Sequence, residues 1–487
     1  MKNKSLTVNA FLSSIRTLAT IIFPLITYPY ITRVLSVQNI GKINFGQSIV
    51  SYFSLLASLG ISTFAVRNGS QIRENKEQLN IFANRVFTIN IISTILSCML
   101  LLAITLLPTK VVTYRGIILI QGLTVALSPL AVDWIYTINE DFGYITLRSI
   151  IVQMLSLVLM FMFVKNENDV YLYVALTSMS TSLGNIFNFF HSKKYVRLKV
   201  VADTHWNEYK SSILLFFINS IATIIYINSD TTILGILKDD YSVGLYSVAV
   251  KIYTMIKQVF NAVIVTTIPR LAYLRKNDAK EFENLAKKMI SIAIICTIPA
   301  AVGIVILRKE IIVFISGKSY LDAAPTLAIL AVAIFFGVLA NIFANGILIC
   351  MGREKCVVKA TIVSAVGNMT LNFIFIPFFS QNGAAITTLL AEIMVFGMSL
   401  YYGWDVVMHM IDFSEFRNAI WGSVLMLLVS FPLSGILADS NLFVKIIIIM
   451  IVCAGVYVLV LLTFKDKVLL SVFKQIRNKA SKRKMVS

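Results

Sequence analysis

Six charged side chains stand inside otherwise apolar stretches of this 487-residue chain: Arg16, Asp133, Asp230, Lys251, Lys257 and Glu392. A charge at bilayer depth costs roughly 2.5–3.5 kcal/mol or more, so it faces a partner or a wet cavity. The three cations suit an anion. Phosphate fits best, because its oxygens accept several charge-assisted hydrogen bonds from Arg or Lys. The three carboxylates suit a coupling cation, H+ or Na+, or a structural partner. Asp230 in "YINSDTTILGIL" and Lys251 lie on neighbouring helices at similar depth, roughly 10–15 Å below the outer edge. Two readings stay open for them: a buried salt bridge, or an ion-carrying Asp230 beside an anion-binding Lys251. Asp133 and Glu392 carry the same choice between a structural and a transport role. Lys257 follows Lys251 by six residues, about 120° around a helix, so the two need not share a face.

The elements that must position these groups are membrane helices. The chain is 57% hydrophobic and 14% charged, with mean hydropathy +0.81. A soluble domain carries about 25% charged residues. Apolar runs recur near 6–35, 43–65, 86–107, 113–138, 144–164, 170–190, 211–237, 242–268, 289–307, 323–349, 357–378, 382–403, 417–437 and 442–464. They lack two-residue alternation, which favours helices over a barrel. The expectation is an all-α integral membrane protein with about fourteen spans. Lys2 and Lys4 precede an apolar run too long for a cleavable leader. Arg16 falls roughly 15 Å into the first helix, and Pro24 and Pro29 are expected to bend that helix and let it flex.

The net charge of +19 reads as topology, not as a nucleic-acid footprint. With both termini cytoplasmic, about 30 Lys and Arg fall inside and about 10 outside. The basic segment "KQIRNKASKRK" would lie against anionic headgroups. Arg33, Arg67, Arg85, Arg148 and Arg270 sit at helix ends as topology anchors. The cysteines, Cys98, Cys296, Cys350, Cys356 and Cys453, read as core residues; no disulfide or metal set is expected.

An internal repeat organises the spans. "IGKINFGQSIVSYF" parallels "VGLYSVAVKIYTMI", and Gly41 to Arg67 and Gly244 to Arg270 are both 26 residues. A six-helix unit copied in the same orientation gives an N-terminal lobe at 1–205 and a C-terminal lobe at 206–410. Two added helices follow at 411–464, and a basic cytoplasmic tail at 465–487. Two pseudo-symmetric lobes around a central cavity are a transporter architecture.

The sequence also resembles a known family. "FPLITYPYITRVLSVQNIGKINFGQSIVSYFSLLASLGISTFAVR" is similar to the N-terminal signature of bacterial polysaccharide flippases, carried here by Pro29, Tyr30, Arg33, Val34, Leu35, Gly41, Gly60, Ile61 and Arg67. "DWIYTINEDFGYITLRSIIV" resembles a second signature, through Trp134, Tyr136, Glu140, Asp141, Phe142 and Arg148. A third is carried by Asp230, Gly235, Gly244, Tyr246, Ala249, Lys251, Pro269 and Arg270, and "NGAAITTLLAE" resembles the twelfth helix. Ser36 replaces a usual glycine, and Ile138-Asn139 a glycine-containing turn.

The resemblance covers about residues 6–405. It implies the multidrug/oligosaccharidyl-lipid/polysaccharide exporter superfamily, whose flippases move an undecaprenyl-pyrophosphate-linked oligosaccharide to the outer leaflet of the bacterial plasma membrane by alternating access. The related flippase of the peptidoglycan lipid precursor uses cavity arginines, including ones on its first helix, which suits Arg16. On this expectation Arg16, Lys251 and Lys257 bind the pyrophosphate, and Asp230, Glu392 and Asp133 are candidates for ion coupling. The implied partners are the lipid-linked substrate, membrane lipids, a polysaccharide polymerase and chain-length machinery, for O-antigen or capsule. A monomer is expected, with no cofactor beyond the coupling ion.

Two rivals remain. A cation-coupled multidrug antiporter calls for acidic residues at the midplane. A membrane enzyme, such as a polysaccharide polymerase, ligase or acyltransferase, calls for polar catalytic loops outside. His191, His205 and His409 all fall on the expected cytoplasmic side, and no nucleophile–base motif or phosphate-binding glycine loop is present. The chain is therefore expected not to be an enzyme.

Overall fold

The computed structural model describes residues 6–466 and 469–470; for 6–14, 16–18, 20, 21 and 219 it describes the backbone alone. The expected basic tail therefore falls almost wholly outside the described residues. Among the described residues there is no strand.

All fourteen apolar runs lie on helical segments. Among the described residues, eleven helical spans are long and apolar enough by composition to cross a membrane. The helices Leu6–Val34 and Val170–Ser192 carry two further runs. The last run is the second half of Glu354–Tyr402, which is broken at Ser380 (φ 48°, ψ −128°). That break is a chain reversal. Thr387 Oγ1 donates to Asn372 Oδ1 at 2.6 Å, whereas fifteen residues of straight helix would separate them by about 22 Å.

The run at 113–138 is less regular. Pro129 cannot donate to a continuing helix, and the segment divides into Arg115–Ala126, a 3-10 turn at Ser128–Leu130 and Asp133–Ile138. The helical assignment of Leu6–Val34, by contrast, continues through Pro24 and Pro29. Arg33 Nη1 donates to the Pro29 carbonyl at 2.7 Å, and Thr32 Oγ1 to that of Tyr28 at 2.9 Å.

The chain divides into two compact units, Met1–Ser247 and Val248–Ser487. In the first, helix Val37–Ser58 packs against Lys76–Leu106, Arg115–Ala126 and Trp206–Leu237. In the second, Ala324–Asn341 packs against Glu354–Tyr402 and Ala279–Ile306, and Ala279–Ile306 carries Phe413–Ile436, which carries Leu442–Thr463. Tyr457 fastens this last layer by donating to the Ile295 carbonyl at 2.7 Å. Lys445 and Glu310 add an ion pair at 2.9 Å.

The repeat seen in the sequence has a structural counterpart where its two helices begin. Ser36 caps Val37–Ser58 by accepting from the Asn39 N–H at 3.3 Å. Asp239 caps Asp240–Asn277 in the same way, accepting from Ser242 N–H at 2.8 Å. This bond from the backbone amide holds the Asp239 carboxyl below its ordinary pKa.

The cysteines differ from expectation. All five are free. Only Cys453 is buried; Cys296 is exposed and the others are half-buried. In a membrane helix an apolar run has a lipid face as well as a core face, so apolar surroundings in sequence do not imply burial.

Candidate functional site

Helix Asp240–Asn277 places Tyr253, Lys257 and Asn261 four residues apart, hence on one side. Lys257 forms an ion pair with Glu392, 135 residues further along the chain. Tyr253 completes a triangle: its hydroxyl donates to Glu392 Oε1 at 2.8 Å and accepts from Lys257 Nζ at 3.0 Å. The Lys257 ammonium also lies 5.4 Å from the centre of the Tyr253 ring, within cation–π range. The Glu392 side chain is 5% exposed and that of Lys257 21%. The carboxylate is thus almost wholly buried, and Lys257 is the more exposed member of the pair.

A third helix makes room for the pair. A Cβ on Gly337 would stand 2.7 Å from both Glu392 Oε2 and Lys257 Nζ. Any larger residue at this position of helix Ala324–Asn341 would wedge into the bridge. One turn further, Asn341 Nδ2 donates to Asn261 Oδ1 at 2.7 Å. Lys257 meets Gly337 and Asn261 meets Asn341 in the same order, so these two helices run parallel.

Asp230 is held in the first unit. It is 4% exposed, and Tyr246 donates its hydroxyl to Asp230 Oδ2 at 2.6 Å. Two residues along, Thr232 donates to Ser48 Oγ at 3.0 Å and lies 3.1 Å from the Tyr52 hydroxyl. These bonds stitch Trp206–Leu237 to Val37–Ser58. Lys251 is half-buried on Asp240–Asn277, away from the face of Lys257.

Asp133 opens the short helix Asp133–Ile138. It accepts from Asn188 Nδ2 at 2.6 Å and pairs with Arg148 at 3.7 Å. Arg148 in turn donates to the Gly184 carbonyl at 2.7 Å. Beside this group His191 stacks on Tyr144 at 3.7 Å, and Tyr195 donates to Asp141 at 2.8 Å. Asp133 therefore belongs to a knot of charged and aromatic residues that locks three segments together. The backbone of Arg16 lies in helix Leu6–Val34, but its side chain falls outside the described residues.

Among the residues singled out in the sequence, the structure brings Lys257 and Glu392 together. Sequence reasoning missed Tyr253 and Gly337. The four-residue spacing of Tyr253 and Lys257 was visible, but nothing local ties either to Gly337 or Glu392.

Three comparisons bear on identity. A family model described as "Polysaccharide biosynthesis protein" matches residues 6–275. The chain is 23% identical over 394 residues to a protein of Escherichia coli (strain K12) named "Putative O-antigen transporter", covering 78% of this chain and 92% of that one. It is also 23% identical over 383 residues to "Capsular polysaccharide biosynthesis protein CapF" of Staphylococcus aureus, covering 76% and 92%. Among solved structures, "Lipid II flippase MurJ, inward closed conformation" matches with TM-score 0.73 at 17% identity, over 94% of this chain and 99% of that one. An inward-facing multidrug resistance MATE family transporter of the MOP superfamily matches with TM-score 0.57 at 13% identity, over 80% and 98%. At these identities the structural matches establish a shared fold.

Proposed function

The chain belongs to the polysaccharide biosynthesis protein family, and from that premise we propose that it flips an undecaprenyl-pyrophosphate-linked oligosaccharide across the bacterial plasma membrane. The observation that carries this reading is the Lys257–Glu392 bridge inside membrane-spanning helices, with Lys257 the more exposed of the two side chains. A phosphate oxygen suits the same ammonium and competes with the carboxylate for it.

Glu392 holds Lys257 when no phosphate is bound, which makes it the first candidate for ion coupling. Arg16 and Lys251 are further candidates for the pyrophosphate, and Asp230 and Asp133 for ion coupling. Alternating exposure of the loaded site to the two leaflets moves the substrate, and Pro24 and Pro29 lie in a helix suited to flex in that cycle. Binding energy alone gives no direction, so an ion gradient or removal of product outside must supply it.

The positive-inside count favours a protein with both termini in the cytoplasm. A polymerase and chain-length machinery would consume the product on the outer face, for O-antigen or capsule, and the chain would work as a monomer.

The test is translocation in sealed vesicles containing the purified protein and an undecaprenyl-pyrophosphate oligosaccharide, scored by access of an external glycosidase. Protein-dependent exposure of the sugar, lost in Lys257→Ala, supports the reading. Vesicles that instead carry a cationic dye and leave the glycolipid in place would move the assignment to a drug antiporter.

A further inference from the structure

Beyond the ion pair, the same face carries three carboxamides. Asn341 Nδ2 donates to Asn261 Oδ1 at 2.7 Å, and Asn345 Nδ2 donates to Asn341 Oδ1 at 2.6 Å. Asn345 lies in a π-helical turn, Ile342–Leu348, in which the Ile349 N–H reaches back to the Ala344 carbonyl at 3.1 Å. Such turns gather at functional sites. In this turn Ile342, Phe343, Ala344, Gly346, Ile347 and Leu348 are buried, and Asn345 is exposed. The surrounding segment, Lys318–Leu348, is apolar enough to span a membrane. A carboxamide turned towards hydrocarbon leaves hydrogen bonds unmade at a cost of several kcal/mol. Asn345 is the exposed side chain of this turn, three residues from the end of that segment, and a placement towards water satisfies its remaining hydrogen-bonding capacity.

We propose that Asn261, Asn341 and Asn345 form a saccharide-binding strip that receives the hydroxyl groups of the first sugars while Lys257 holds the pyrophosphate. The proposal rests on the flippase reading above. A sugar hydroxyl both donates and accepts, and a carboxamide offers one acceptor oxygen and two donor hydrogens. Linked head to tail, the three amides polarise one another. The strip ends on the amide nitrogen of Asn261 and the carbonyl oxygen of Asn345, one donor end and one acceptor end. Residues four apart along a helix are separated by about 6 Å, so Lys257, Asn261 and the end of the strip are spaced as a pyrophosphate and the sugar rings attached to it. Lys257 recognises the charge common to every lipid carrier of this kind, and the strip distinguishes a loaded carrier from an empty one.

The experiment compares two ligands on the full purified chain by native mass spectrometry. One is bare undecaprenyl pyrophosphate. The other is the pool of polyprenyl-pyrophosphate glycolipids extracted from the cells that make the protein. Wild type should retain the glycolipid more strongly than the bare lipid. Asn345→Ala and Asn341→Ala should weaken glycolipid binding about tenfold, the loss expected for one to two hydrogen bonds, and leave bare-lipid binding unchanged. Unchanged bare-lipid binding also reports a folded protein. If Asn341→Ala fails to fold, the exposed Asn345→Ala decides the matter. Variants that bind glycolipid as wild type does would overturn the strip. So would a wild type that binds both lipids equally, although the flippase reading would survive. If wild type binds neither lipid, both proposals fall.

Discussion

Gly41 and Gly244, equivalent positions in the repeat, each pack against the first residue of the other's helix. A Cβ on Gly41 would stand 1.8 Å from the Asp240 carbonyl oxygen, and one on Gly244 would stand 2.1 Å from that of Val37. Asp240 begins the helix of Gly244, and Val37 begins the helix of Gly41. The obstacle in both cases is backbone, which cannot swing aside as a side chain can. The contact is reciprocal, and each helix start carries a side-chain cap of its own.

Gly41→Ala and Gly244→Ala should therefore each force the two helix starts apart. Overpacking of this kind costs about 1–3 kcal/mol. Thermal unfolding in detergent would show a clear loss of Tm for both. Gly303→Ala is the control, because a Cβ there meets nothing within 4 Å. It should match wild type or exceed it slightly, since alanine favours helix over glycine. Equal stability of all three variants would remove the close approach as an explanation for either glycine.

Glu392→Leu should leave the Lys257 ammonium half-buried without its carboxylate. Losing one partner of a buried pair costs about 3–5 kcal/mol, whereas replacing both with apolar residues often costs little. The double variant Lys257→Met/Glu392→Leu should thus be more stable than Glu392→Leu alone, yet export no polysaccharide. A double variant that exports normally would show the bridge to be scaffolding.

Gly337→Ala probes the same bridge without touching a charge. The new methyl would collide with the ends of Lys257 and Glu392 and push them apart. Export should drop several-fold while the amount of protein in the membrane stays near wild type. Quantitative immunoblotting beside a polysaccharide assay would separate the two effects.

The Asp239 cap carries a pH signature. Its carboxyl pKa is lowered in the folded protein by the Ser242 amide. The cap's contribution is therefore fully present above the unfolded-state pKa, about 3.9, and fades as pH falls through the lower folded value. Asp239→Ala should cost about 1 kcal/mol at neutral pH. Asp239→Asn keeps a capping oxygen that does not titrate in this range. Unfolding temperatures followed from about pH 6 to about pH 3 should fall more steeply for wild type than for Asp239→Asn. Parallel curves would mean that the cap does not contribute.

The sequence by itself determined the spans. Inside a bilayer every backbone group must be satisfied within its own helix, so hydropathy summed over neighbours locates each crossing. It located all fourteen runs, including the two halves of Glu354–Tyr402 that secondary structure merges across Ser380. The repeat was legible for the same reason: motif spacings are local. Partner choice was not. Lys257 and Glu392 each stood out as a charge in an apolar run, but their pairing depends on how three helices are rotated and set in register. Helices that are apolar all round give no periodic signal for either. The bridge needs Gly337 at the one level where its two ends meet, and Tyr253 one turn away to hold both. Asp133 teaches the same lesson from the other side. Its charge was visible in the sequence, but Asn188 and Arg148 reach it only because the chain between them folds back.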